Sequence, residues 1–256
     1  HGGAVSLLNP ISKATISSGS IFRGNTAETG DGGAVYVLDG GAKGTWNSTA
    51  GDRFEANTAS KGSGGAFSAL GTKIHLDEHT SCSNNRAPRG GGGCVMWEPL
   101  AESATSAVWH TRAPTFQQHL VSANTAGFGN DIATPPISLR PIIDKNIVIS
   151  TDADGSTLTP TPRVKILDLY DNVVIGDLAD GVVIEAMQYD TTTTATMYGG
   201  IKSISNASNG IATFDALSLR GTPRSGPHNL SLAARIQVGR SSSLGFSRAV
   251  ASTTAK

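Results

Sequence analysis

The sequence predicts an all-β protein in two parts: a parallel β-helix of about four coils over residues 1–136, then an antiparallel β-sandwich over residues 137–256. Three observations predict it. A phrase of constant spacing occurs four times in the first half, glycine is concentrated there, and short apolar runs separated by turn signals fill the second half.

The phrase reads "FRGNTAETGDGGAVY" at residues 22–36, then "FEANTASKGSGGAF" at 54–67, "CSNNRAPRGGGGCV" at 82–95 and "VSANTAGFGNDIA" at 121–133. Each time an apolar residue stands three positions before an asparagine: Phe22/Asn25, Phe54/Asn57, Cys82/Asn85 and Val121/Asn124. Gly-Gly begins seven residues after the first three asparagines, at Gly32, Gly64 and Gly92. A small residue follows nine after each: Ala34, Ala66, Cys94 and, in the last copy, Ala133. From Gly-Gly to the next asparagine the distance varies, at 23, 25, 21 and 32 residues. A constant corner alternates with a variable arm.

Periods of this size mark a solenoid or array. The segments are rich in glycine and lack the apolar spacing of helices, whereas "AVYVL" (34–38), "TKIHL" (72–76) and "CVMW" (94–97) read as strands. One repeat is therefore one coil, and its corner recurs because it stacks on itself. An asparagine amide both donates and accepts, so Asn25, Asn57, Asn85 and Asn124 are expected to form one inward column. Glycine supplies positive φ and close backbone approach at the bend. The variable arms are expected as loops leaving the stack.

The first part ends at Thr134-Pro135-Pro136, where two prolines interrupt any ladder, and residues 1–134 hold 21 of the 31 glycines. Beyond it come "NIVIS" (146–150), "RVKILDLY" (163–170), "GVVIEAM" (181–187), "IATFDALSL" (211–219) and "NLSLAARIQV" (229–238), separated by "DADG", "YDN", "NASNG" and "GTPRSGP". About seven short strands at this spacing fit a sandwich of about 100 residues. The cysteine pair and core tryptophan of an antibody domain are missing from it.

The paired "FxxN" and "GGA" motifs resemble the repeats of polymorphic outer-membrane-type autotransporters. They are still more similar to the right-handed β-helix repeats of large algal and protist surface proteins. In those, arrays end in a phrase similar to "NTAGFGNDIATPP" (124–136) and run into an immunoglobulin-like module. The second half is similar to filamin-like or invasin-like Ig modules, whose G-x-A-T-F strand has a counterpart at Gly210–Phe214. The resemblance implies a right-handed β-helix with an Ig-like module at a cell surface, without a catalytic site. No β-barrel translocator is visible in the sequence.

Composition excludes several classes. With 20 basic and 20 acidic residues there is no basic patch for nucleic acid and no polybasic membrane anchor, and no apolar run approaches the roughly 18 residues of a spanning helix. The recurring residues Asn, Gly and Ala carry no proton chemistry near neutral pH, and the clustered carboxylates of a polysaccharide lyase are missing, so no enzymatic activity and no cofactor are expected. His75, His79 and Cys82 have metal-ligand spacing without a fourth ligand, and "TDADGST" (151–157) opens like a calcium loop but lacks the closing Glu and reads as a turn.

Cys82 and Cys94 occupy the two inward positions of the third corner, 12 residues apart, and are candidates for a disulfide. Sequons at Asn47, Asn206 and Asn229 are glycosylation candidates, whereas Asn25, Asn57 and Asn124 precede Thr-Ala and do not qualify. The expected function is a structural building block of an extracellular surface glycoprotein or filament. The alternatives are a carbohydrate-binding adhesin with Trp46, Trp97 and Trp109 as stacking platforms for glycans, the competing role of those rings being core packing, and, behind it, a polysaccharide-lyase-like enzyme. The chain opens on His1-Gly2-Gly3-Ala4, half a corner and not Met, so it is expected to be a mature product or a segment of a larger chain. The N-terminal face of the helix is accordingly expected to self-associate or to meet neighbouring subunits.

Overall fold

The computed structural model describes residues 1–8, 14–16, 19–39, 44–48, 50–99, 113–115, 120–142, 154–176, 182–188, 196–199, 201–203, 209–220, 230–237 and 247–255. Among them the regular structure is all β, with no α-helix. The chain divides into two units: His1–Pro135 with Asp168–Ile175, and Pro136–Leu167 with Gly176–Lys256.

In the first unit each repeat is one coil, and the first three coils have four short strands each. The first coil supplies β1 (Val5–Leu8), β2 (Ala14–Ile16), β3 (Ile21–Arg23) and β4 (Thr26–Ala27). The second supplies β5 (Val35–Leu38), β6 (Thr45–Ser48), β7 (Arg53–Glu55) and β8 (Thr58–Ala59). The third supplies β9 (Phe67–Leu70), β10 (Lys73–Leu76), β11 (Ser81–Ser83) and β12 (Arg86–Gly91). The fourth contains β13 (Val95–Glu98), β14 (Val121–Ser122) and β15 (Thr125–Phe128), and β16 (Ile132–Ala133) follows. Equivalent strands of successive coils pair in parallel, giving the stacks β1-β5-β9-β13-β16, β2-β6-β10, β3-β7-β11-β14 and β4-β8-β12-β15. This is the arrangement of a parallel β-helix. The arms are not loops, because each of the first three contributes a strand (β2, β6 or β10) with its own stack.

The period-two alternation of a strand decides what lies inside. Val5, Val35, Phe67, Val95 and Ile132 form one column, and Leu7, Val37, Ala69 and Trp97 the next. Phe22 and Phe54 stack at 4.9 Å and 4°, and the same column continues through Cys82 and Val121. "NTA" is explained the same way: asparagine turns inward, threonine outward, and Ala27, Ala59 and Ala87 are buried.

In the second unit every described strand pairing is antiparallel. Its strands are β17 (Ser138–Pro141), β18 (Asp154–Thr157), β19 (Arg163–Leu167), β20 (Val182–Gln188), β21 (Thr196–Tyr198), β22 (Ile201–Ser203), β23 (Ile211–Thr213), β24 (Ser218–Arg220), β25 (Leu230–Gln237) and β26 (Ser247–Ala255). They form the sheets β17-β19-β23, β18-β24-β21 and β22-β20-β25-β26. Two local readings are corrected. The last two residues of "DADG" are not in a turn, since Asp154 and Gly155 lie in β18, paired to β24. The run 163–170 is not one strand: it stops at Leu167, and Asp168 begins the segment that packs in the first unit. The run 146–150 lies outside the described residues.

Candidate functional site

The four asparagines form a continuous column. The backbone N–H and the side-chain Nδ2 of Asn25 both donate to Oδ1 of Asn57, at 3.0 and 2.9 Å. Asn57 donates in the same way to Oδ1 of Asn85 (2.9 and 2.9 Å), and Asn85 to Oδ1 of Asn124 (2.9 and 3.0 Å). The other Nδ2 hydrogen returns to the previous coil: Asn57 donates to the Phe22 carbonyl, Asn85 to that of Phe54 and Asn124 to that of Cys82. Asn57 and Asn85 are fully buried, so every polar atom needs such a partner. The residue before each asparagine takes a left-handed conformation, with φ of 67° at Gly24, 53° at Ala56, 56° at Asn84 and 55° at Ala123. That turn sets the asparagine side chain inward.

The two glycines of Gly-Gly do different work. Gly32, Gly64 and Gly92 have φ of 69°, 71° and 70°, the left-handed region. Gly33, Gly65 and Gly93 instead pass close under the next coil, where an added Cβ would lie 2.0, 2.2 and 2.1 Å from the carbonyl oxygens of Gly65, Gly93 and Asn130.

The last corner is not in the register that counting residues suggests. Ile132 pairs with Val95 and Ala133 with Met96, so Asp131, not Ala133, stands at the place of Ala34, Ala66 and Cys94. Gly129 and Asn130 take the places of Gly92 and Gly93, making the corner two residues shorter, and the register shifts between β12 and β15. With no further asparagine in the column, Asn124 Nδ2 donates to Asp131 Oδ1 at 2.9 Å.

Cys82 and Cys94 are joined in a disulfide with Cα atoms 6.0 Å apart, both sulfurs inside the third coil, where Phe54 and Ala66 stand in the second. The bonded Sγ of Cys82 is thereby withdrawn from the metal-ligand set of His75 and His79, and His75 Nδ1 meets Thr115 Oγ1 at 2.5 Å. Trp46 and Trp97, offered as stacking platforms, are corrected to core residues. Each is 1% exposed, Trp46 edge-on to Phe67 at 4.9 Å and Trp97 donating its indole N–H to the Tyr170 hydroxyl at 3.0 Å. A sugar finds no free face on either ring. Trp109, Asn206 and Asn229 lie outside the described residues. Asn47 is half-exposed in the middle strand β6, on the outer side of the wall and opposite His75, rather than in a loop.

A second inward ladder was not read from the sequence. Asp52 is fully buried, accepts the Ser20 N–H at 2.8 Å and the Ser48 hydroxyl at 2.5 Å, and the Thr80 hydroxyl reaches Ser48 Oγ at 3.2 Å. Ser20, Asp52 and Thr80 each stand two residues before the apolar residue of the corner, and that polar recurrence was the available signal. Burial raises the Asp77 carboxyl, but hydrogen bonds from the Thr80 hydroxyl and the N–H groups of Ala50, His79 and Thr80 outweigh it and hold the group below its ordinary value. Burial dominates at Asp168 and raises it despite bonds from Asn172, Thr134 and Tyr170. The Tyr170 hydroxyl is pushed up to about 12, first by burial and further by the Asp168 charge, with the Trp97 bond opposing.

Comparison with known families matches one stretch, residues 19–38, which contains Phe22, Asn25 and Gly32-Gly33-Ala34. That stretch is similar to the Chlamydia polymorphic membrane protein repeat. Among curated proteins and solved structures nothing matches the chain. The polymorphic membrane protein repeat thus coincides with one complete corner, from the start of β3 to the end of β5.

Proposed function

We propose that this chain is a non-enzymatic building block of an extracellular surface glycoprotein or filament, a right-handed β-helix followed by an Ig-like module. The observation that carries the reading is the asparagine column. The asparagine side chains that recur are spent on joining one coil to the next. The disulfide and the similarity of residues 19–38 to a membrane-protein repeat support an oxidising, surface-facing location. Asn47, on the outer wall, is the glycan site of choice, and the N-terminal edge of the first coil is the surface where neighbouring subunits meet.

Antibodies against the chain, applied to intact and to permeabilised source cells, test the reading. Labelling of intact cells, with cross-links to protein neighbours, is the expected result. Labelling that requires permeabilisation contradicts it. Binding to a glycan array would instead favour the adhesin.

A further inference from the structure

The walls of the coil stack do not share charge evenly, although the chain carries 20 residues of each sign. On the stack β4-β8-β12-β15, Arg86 pairs with Thr58 on one side and Thr125 on the other, each one strand spacing of about 4.8 Å away. Lys61 and Arg89 occupy the same position of successive coils, four residues after Asn57 and Asn85. Gly62 and Gly90 follow them and stack so closely that a Cβ on Gly90 would lie 2.4 Å from the Gly62 carbonyl oxygen. Lys61, Arg86 and Arg89 are all exposed, and none forms an ion pair among the described residues.

The neighbouring stack β3-β7-β11-β14 is different. There Glu55 meets both cations, Arg23 Nη2 at 2.5 Å and Arg53 Nε at 3.5 Å. The segments 58–63, 86–91 and 125–128 contain no carboxylate. The first coil has Glu28 and Asp31 in its corner, and Asp31 Oδ1 is occupied by the Ser63 N–H at 2.7 Å. The same three segments present no exposed aromatic or large apolar side chain, Phe128 being buried. A nucleic-acid base finds no ring to stack on there, and a protein partner finds no apolar centre to bury. Three cations beside the threonines Thr58 and Thr125 suit a hydrophilic polyanion.

We infer that this wall, on the second to fourth coils, binds a linear acidic polysaccharide through its carboxylate or sulfate groups. The proposal rests on the cell-surface placement in the reading above. The guanidinium forks of Arg86 and Arg89 match the paired oxygens of such an anion, and Lys61 adds a point charge beside them. Threonine hydroxyls can exchange hydrogen bonds with sugar hydroxyls. A polymer lying along the stack meets a further contact on each coil, so contacts that are weak singly act together. Because the chain as a whole is neutral, attraction for a polyanion comes from this local segregation of charge and not from net charge.

The test is binding of the full chain, by biolayer interferometry, to polygalacturonate, to dextran sulfate and to neutral dextran. The parent is compared with a wall variant carrying Lys61→Gln, Arg86→Gln and Arg89→Gln. A control of equal charge loss carries Lys73→Gln, Arg163→Gln and Lys165→Gln. The parent is expected to bind at least one acidic polymer, more weakly as salt rises, and not to bind dextran. The two acidic polymers separate carboxylate from sulfate as the group recognised. The wall variant is expected to lose at least about tenfold in affinity and the control less than about threefold. Should the wall variant not fold, Arg86→Lys keeps the charge, loses the fork and is expected to weaken binding by itself. Equal loss in wall variant and control overturns the proposal, since net charge alone then binds. So does a parent that binds neither acidic polymer, or that binds single-stranded DNA more tightly than both. These outcomes leave the building-block reading standing, because labelling of intact cells decides it. Binding to dextran overturns the proposal and points to the adhesin.

Discussion

Corner and arm of the same coil obey different rules. At the corner each residue meets its own counterpart one coil on: asparagine on asparagine, alanine beside alanine, Gly33 under Gly65. In the arm the strands stack, but the links between them vary freely. Two residues join Leu70 to Lys73 in the third coil, and six join Leu38 to Thr45 in the second. Self-stacking fixes both identity and length, because a change must fit the copies above and below. Links of unequal length can still join strands that stack in register.

The largest break in this contrast is expected from Gly33→Ala. Its methyl would sit 2.0 Å from the Gly65 carbonyl oxygen and 2.6 Å from the Thr58 nitrogen, so two coils must separate, at a cost of about 4 kcal/mol or more. Gly24→Ala is the control: φ is 67° but nothing lies within 4 Å, so only the left-handed strain of about 1 kcal/mol applies. Urea melts of the two variants separate close approach from conformation.

Next in size is the disulfide. Replacing Cys82 and Cys94 together by alanine releases a loop of 12 residues, worth about 3 kcal/mol by the chain-entropy account, and lowers the melting temperature under non-reducing conditions. Asn57→Ala follows. It strips the acceptor from both Asn25 donors and removes the amide bond to the Phe22 carbonyl, for about 2 kcal/mol. Lys73→Ala, exposed in an arm strand, is expected to stay within about 0.5 kcal/mol of the parent.

The smallest effects are in the acid limb. Asp77 has its carboxyl lowered in the folded chain, so the unfolded chain binds the proton first as pH falls. Its contribution is present above pH 3.8 and lost as pH falls toward the lowered value. Asp168 is raised, so acidification through that range favours the fold at this group. Asp77→Asn is therefore expected to flatten the acid loss of stability and Asp168→Asn to steepen it, read by melts between about pH 3 and pH 6.

The corner was legible in the sequence because self-stacking enforces repetition: Asn25, Asn57, Asn85 and Asn124 stand where equal spacing put them, in one column. The fourth corner was misread because counting assumes a constant length, and the need for Gly-Gly ends where no further coil has to pass. Asn130 can carry a side chain where Gly33 cannot. Of the arm strands, β10 was read from "TKIHL", whereas β2 and β6 were hidden by uneven links, although the stack needs only a few paired residues. Asp168, Tyr170 and Asn172 left no local signal at all, because they reach the last coil from more than 30 residues further along the chain.

The central claim, that the asparagines join the coils in one direction, is tested most directly by residue-resolved amide hydrogen exchange on Asn85→Ala. Asn57 donates its N–H to the deleted oxygen, whereas Asn25 donates to Asn57, which is kept. The expected result is at least about tenfold faster exchange at Asn57, with Asn25 close to the parent once global stability is corrected for. Equal acceleration at both, or none at Asn57, would contradict the ladder.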